Sequence, residues 1–227
     1  AESNLIGGLN FLEAVAQYNI PGVYIAVGNY WFNNTYSITK NMIERFTHMF
    51  NKERGTRVNI VRAVNAYGPR QSVAAPYGNS KVRKITPSLV CRYISGDPME
   101  VYGGGQQISD MVYVGDVAKA LVLALEEADK GNVLDRAVEI GSVNHTKVID
   151  VAYLIETIGK RKGIAPVDIA TLPMRPGEKE GESVTANVGT LSLIGFDVDD
   201  LTPLYEGMEK TIDYYIETEG TTWHKPS

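Results

Sequence analysis

Apolar residues first recur at helical spacing over residues 3–17, "SNLIGGLNFLEAVAQ", where Leu5, Leu9, Leu12 and Ala16 share one face. Ser3 or Asn4 caps that helix, and the "NIP" at 19–21 breaks it. The next run, "GVYIAV" at 22–27, is apolar almost throughout, as in a strand buried on both faces of a parallel sheet. A second helix follows over about 36–54, with Ile38, Met42, Ile43, Phe46, Met49 and Phe50, and stops at Gly55. "RVNIVRAVNAY", 57–67, is the second β-rich run. Helix, strand, helix, strand is the order of a right-handed parallel α/β sheet. After 67 the pattern changes. A Gly/Pro/Ala-rich loop spans 68–81, a helix covers about 85–95, and "MEVYG" and "DMVYV" are short strands around the glycines 103–105. Helices over 115–131, 147–163 and 201–218 alternate with strands "RAVEIGS" and "PVDIATLPM"; Asp116 is placed to begin the first of them. There is no internal repeat, and "TTWHKPS" reads as a loose tail.

Composition narrows the classes. At 227 residues, the chain suits one large domain or two small ones, and 44% apolar with 22% charged is ordinary for a globular protein. A net charge of −5 supplies no basic field for nucleic acid or an anionic membrane. No apolar run approaches a membrane span, and no secretory leader opens the chain. The single cysteine, Cys91, excludes an internal disulfide and fits a reducing cytoplasm. It lies in "ITPSLVCRYI" and reads as a core residue. His48, His145 and His224 show no paired spacing and read as surface residues, with no metal site. The first residue is Ala1, so the chain is expected to be processed or to be part of a longer one.

"NNTYSITKNMIERF", 33–46, places Tyr36 and Lys40 one helical turn apart, on one face. By itself this is either an acid–base pair or an ordinary amphipathic helix. Its company is "NLIGGLNFLEA", "YSITK", "VRAVNAYGPRQ", "VYGGGQQISDMVYVGDVAKAL", "EIGS", "RPGE" and "IGF…LYEGMEKTIDYY", in that order over about residues 4–216. With these the chain resembles the extended short-chain dehydrogenase/reductase family, the NAD-dependent sugar-nucleotide epimerases and dehydratases. The resemblance implies an α/β fold: the C-terminal part of a Rossmann-type parallel sheet plus a smaller α/β substrate-binding lobe. Residues 1–67 would be the partial NAD-binding domain, and 68–227 mainly the substrate lobe, with segments returning to the sheet. It also implies NAD as cofactor and a nucleotide sugar as substrate.

Tyr36 and Lys40 then match the family's catalytic pair, both reaching the cofactor, with Val64 as a further cofactor contact. A tyrosine titrates near 10 unperturbed, so a neighbouring ammonium would be needed to favour phenolate and let it take a sugar hydroxyl proton. Asn65 resembles a substrate-contacting asparagine; the plain alternative is a turn residue before "YGP". Arg175 in "RPGE" resembles an arginine that pairs with the substrate diphosphate; the plain alternative is a solvated loop arginine. Arg62 points out of an apolar strand and is read as structural.

Four departures shape the expectation. No G-x-x-G-x-x-G dinucleotide fingerprint is present, and "GGG" at 103–105 is in the wrong half. Where the family has a Ser or Thr after the first strand here, the chain reads "AVGN", leaving Asn29 or Thr35 to serve the sugar oxygen. The segment from Tyr30 to Tyr36 is short, and Ser109 stands where the family has an arginine. Because "AVGN" carries no acid, epimerisation or keto-reduction is expected over dehydration. A non-catalytic member that binds a sugar nucleotide or a partner is the rival reading. Phe11, Phe46, Met49 and Phe50 are read as spare apolar area for a homodimer through helices 3–17 and 36–54. The flank of "GVYIAV" is expected to lack a neighbouring strand.

Overall fold

A computed structural model describes residues 2–71, 84–174 and 183–218. In chain order its elements are α1 (Glu2–Tyr18), β1 (Pro21–Val27), α2 (Thr35–Arg54), β2 (Arg57–Ala63), β3 (Ala66–Tyr67), α3 (Ile85–Ile94), β4 (Met99–Tyr102), β5 (Ile108–Ser109), β6 (Val112–Tyr113), α4 (Val114–Asp129), β7 (Val138–Ile140), β8 (Thr146–Lys147), α5 (Val148–Arg161), β9 (Ile169–Leu172), β10 (Ser183–Val184) and α6 (Leu204–Glu217). The chain divides into two compact units. The first is Ala1–Ala66, Gly115–Val143 and Val184–Leu201; the second is Tyr67–Val114, Asn144–Ser183 and Thr202–Ser227.

The first unit holds a parallel sheet in the order β1-β2-β7. β1 runs in register with β2 from Pro21↔Arg57 to Val27↔Ala63, and β2 with β7 from Val61↔Val138 to Ala63↔Ile140. Central β2 has four consecutive buried residues, Val58 to Val61, as a strand covered on both faces requires. Leu12 and Val15 of α1 join Ile43 and Phe50 of α2 and Tyr24, Ala26, Val58 and Ile60 of the sheet in one core. Two asparagine side chains, Asn51 half-buried and Asn59 buried, stitch these layers. Asn51 donates to the Val58 carbonyl (2.8 Å) and accepts from the Val58 amide (3.1 Å), closing the α2–β2 turn. Asn59 donates to the carbonyls of Ala124 (2.9 Å) and Asn132 (3.0 Å) and so fixes the end of α4. Between α2 and β2, Gly55 adopts φ 65°, a left-handed C-cap that favours glycine. Among the described residues β1 is an edge of this sheet, and Ile25 on it is 42% exposed.

The second unit pairs β4 with β9 in parallel and β5 with β8 antiparallel. α3, α5 and α6 supply Leu89, Tyr93, Ile155, Ile158, Met208 and Ile212 to its core, and Cys91 is buried there as expected.

Several boundaries differ from the sequence pattern. The β-run expected over 57–67 ends at Ala63, because Asn65 takes φ 40° and turns the chain before β3. The strand expected at 110–114 is only Val112–Tyr113, since Val114 already belongs to α4; Asp116 therefore lies inside the first turn and is buried, rather than preceding the helix. His48 is half-buried on α2, whereas His145 is exposed; His224 lies outside the described residues. Phe50 is in the core, and Phe11, Phe46 and Met49 pack partly buried against it, so they are not spare surface. No helix among the described residues is long and apolar enough to cross a membrane.

Candidate active site

In an open parallel sheet, side chains and main-chain groups just past the carboxyl ends of the strands face the ligand. Here those positions are Gly28 and Asn29 after β1, and Val64 and Asn65 after β2. A Cβ at Gly28 would stand 2.5 Å from Val64 Cγ2 and 3.2 Å from the Ala63 carbonyl, so the two strand ends approach too closely for a side chain. Val64 is buried at 3% exposure, and its N–H donates to the Ile140 carbonyl at 3.0 Å. Its amide is therefore engaged in holding β2 against β7. Asn65 is exposed in the left-handed region at φ 40°.

α2 starts at the same end of the sheet. Asn34 caps it, its side chain accepting from the Ser37 amide at 2.9 Å. Thr35 is the exposed first residue, and Tyr36 follows at 55% exposure. Ser37, fully buried, donates to Asn29 Oδ1 at 3.5 Å and ties the loop after β1 to the first turn of α2. Asn29 is thereby held beside that first turn. Thr35 and Asn29 are the polar groups sequence reasoning offered in place of the absent Ser/Thr.

Lys40, one turn below Tyr36, donates its ammonium to the Ile25 carbonyl at 2.6 Å and stands 4.7 Å from the centre of the Tyr24 ring. Tyr24 in turn donates to the Lys40 carbonyl at 3.3 Å. Burial lowers the Lys40 pKa from its ordinary value. Burial also pushes the Tyr24 hydroxyl well up, with Tyr36 and Glu44 adding to the shift. Tyr24 is thus a fixed neutral wall beside Lys40.

One turn further, Glu44 continues the stripe Tyr36–Lys40–Glu44. It is buried, and both its oxygens accept from Arg62, one of them at 3.1 Å. Arg62 also pairs with Glu139 at 2.8 Å, and its guanidinium lies 3.8 Å from the centre of the Tyr30 ring. Burial opposes the Arg62 charge, but the two carboxylates outweigh it and hold the guanidinium above its usual range. Arg62 is structural, as read from the sequence, and its work is to lock α2, β2, β7 and the loop after β1 together.

Sequence reasoning missed this cluster, Tyr24, and the aromatic run Tyr30–Trp31–Phe32. The available signal was Glu44, four residues beyond Lys40, opposite a lone arginine in an apolar strand. Arg175 lies outside the described residues. Ser109 is buried and donates to Met111 Sδ at 3.3 Å. Among the described residues no cluster of His, Cys, Asp and Glu is arranged to hold a metal.

Known proteins share this fold. A UDP-glucose 4-epimerase of Thermus thermophilus, solved in complex with NAD, superposes at TM-score 0.74 with 26% identity, over 94% of this chain and 70% of that one. A UDP-glucose 4-epimerase of Thermotoga maritima, solved with UDP-glucose, gives TM-score 0.78 and 25% identity, over 96% and 70%. A dTDP-glucose 4,6-dehydratase of Salmonella typhimurium is 25% identical over 196 residues, which are 84% of this chain and 49% of that protein. The chain thus spans about half of that curated relative and 70% of the two solved chains. The model of the NAD dependent epimerase/dehydratase family matches residues 1–141, the stretch that contains α1, β1, α2, β2 and the Tyr36–Lys40 pair. With that match covering more than half of the sequence, the chain belongs to the NAD dependent epimerase/dehydratase family.

Proposed function

We propose that this chain is the greater part of an epimerase-type oxidoreductase that acts on a nucleotide-activated sugar with NAD. The observation that carries the reading is the stripe of α2: Tyr36 exposed at the carboxyl end of the sheet, with Lys40 held one turn away. Tyr36, Lys40 and the buried Val64 side fit the nicotinamide–ribose half of the cofactor. Among the described residues no glycine-rich turn opens a helix to receive the pyrophosphate. A bound NAD would supply hydride acceptance and return at the sugar carbon.

The residues supply the rest. Tyr36 Oη takes the proton of the sugar hydroxyl and later gives it back. Lys40, one turn along the same face, would hold the ribose. Asn29 or Thr35 hydrogen-bonds the reacting sugar oxygen, and Asn65 contacts the substrate next to it. Arg175, from its "RPGE" motif alone, is assigned to the diphosphate, a group that a guanidinium suits. The loop from Gly28 to Asn34 has no carboxylate, which favours epimerisation or keto-reduction over loss of water. We place the enzyme in the cytoplasm as a homodimer, with no nucleic-acid or membrane partner.

The test is Tyr36→Phe in the cofactor-loaded protein. Turnover should fall by about 10²–10⁴-fold, the usual contribution of a proton-transfer group, while nucleotide-sugar affinity stays within a few-fold. Near-normal turnover on a substrate of the native protein would remove Tyr36 from the chemistry.

A further inference from the structure

Trp31 is 50% exposed, yet the turn that carries it is tied down. Phe32 donates its N–H to the Asn29 carbonyl at 3.1 Å, a turn that places Trp31 at its third position. The indole packs edge to face with Tyr30 (5.1 Å, 88°) and with Phe32 (5.9 Å, 85°). Tyr30 rests on the Arg62 guanidinium, and its carbonyl accepts from Asn41 Nδ2 at 3.4 Å. The foot of the turn, Asn29, is bonded to Ser37, the residue after Tyr36. A single exposed aromatic residue is ordinary on a protein surface. Here two aromatic neighbours, one of them resting on a half-buried ion cluster, hold one that still faces water. Immobilising a side chain costs rotamer entropy, which burial normally offsets, and half of this ring is not buried. A rigid indole with one open side is suited to a ligand with an apolar face and polar edges.

We propose that Trp31 is the platform for the sugar ring, its indole taking the C–H face of a hexopyranosyl group while Asn29 and Tyr36 address the hydroxyls. This rests on the nucleotide-sugar reading above and makes Trp31 a specificity-determining residue of that site.

Residues 1–227 hold two tryptophans, so Trp223→Phe leaves Trp31 as the one indole of this stretch, and a Trp31→Phe companion supplies the background emission of any others. UDP-glucose and UDP are titrated separately into the cofactor-loaded Trp223→Phe protein, with binding followed in parallel by calorimetry. Trp31 emission should change with UDP-glucose and not with UDP at equal occupancy. In a Trp31→Leu variant the Kd for UDP-glucose should rise roughly three- to tenfold and that for UDP should not move. UDP-glucose that binds with heat but leaves both Trp31 emission and the Trp31→Leu affinity unchanged overturns this assignment alone. If neither ligand binds, the nucleotide-sugar reading falls and takes the platform with it.

Discussion

Lys40 keeps a charge that its surroundings disfavour. Burial lowers its pKa, and its compensation is one carbonyl and one aromatic face. A lysine whose folded pKa lies below its unfolded value, near 10.4, binds fewer protons folded than unfolded between the two. Its burial therefore costs stability at lower pH, and the cost fades as pH rises through that window. Lys40→Met should unfold at an equal or higher temperature than the native protein at neutral pH, with the difference shrinking toward alkaline pH. Thermal melts across that range measure it, and a Met variant clearly less stable at neutral pH would contradict the argument. The same variant should retain NAD less well, since it removes the group assigned to the ribose. A residue kept at a cost to folding is more readily explained by function than by structure.

At the scale of elements, the Glu44–Arg62–Glu139 cluster decides how α2 sits on the sheet. Arg62 and Glu44 have side-chain exposures of 15% and 6%, so solvent screens them little. Arg62→Leu leaves Glu44 buried without its partner, which costs about 3–5 kcal/mol when one member of such a pair is removed. Replacing both, Arg62→Leu with Glu44→Leu, should recover most of that loss, because two apolar groups carry no desolvation penalty. Urea unfolding of both variants tests it; a double variant as unstable as Arg62→Leu would show that the ion pair is not what holds α2. Tyr30 depends on the same guanidinium, so either variant should also loosen the turn under Trp31.

At the scale of the whole molecule, two surfaces follow from what the units leave uncovered. Ile38 and Met42, one turn apart on α2, are 48% and 41% exposed, and Ile6 on α1 is 52% exposed. These residues, rather than the phenylalanines, are the apolar area from which a homodimer through α1 and α2 would be built, as interface cores are enriched in such side chains. Light scattering at micromolar concentration should give a dimer, and Ile38→Lys with Met42→Lys should give a monomer; a native monomer would refute it. The second surface is the edge of β1. Tight NAD binding in this fold draws on backbone N–H groups at a glycine-rich helix start, and no such sequence lies within residues 1–227. Calorimetric titration of NAD into residues 1–227 alone should show binding weaker than micromolar. Tighter binding would mean another route holds the cofactor.

By itself the sequence determined the helix–strand alternation, the parallel sheet, the buried Cys91 and the α2 pair. These rest on local rules: a 3.6-residue period places Tyr36 and Lys40 on one face, and an unbroken apolar run needs cover on both sides. It also marked Arg62 as structural, from one charge among apolar neighbours. What only the tertiary structure decided involves partners distant in the chain. Nothing local says that Glu139, 77 residues from Arg62, closes the ion cluster, or that Asn59 bonds an α4 carbonyl 65 residues away. The pattern counted Phe50 as surplus because a helix records how much apolar area it carries, not how much its neighbours cover. Likewise Trp31 in "NYWFNN" looked like part of a short loop. Its posture depends on Tyr30 beside it, and only folding brings Arg62, two elements later, against the Tyr30 ring.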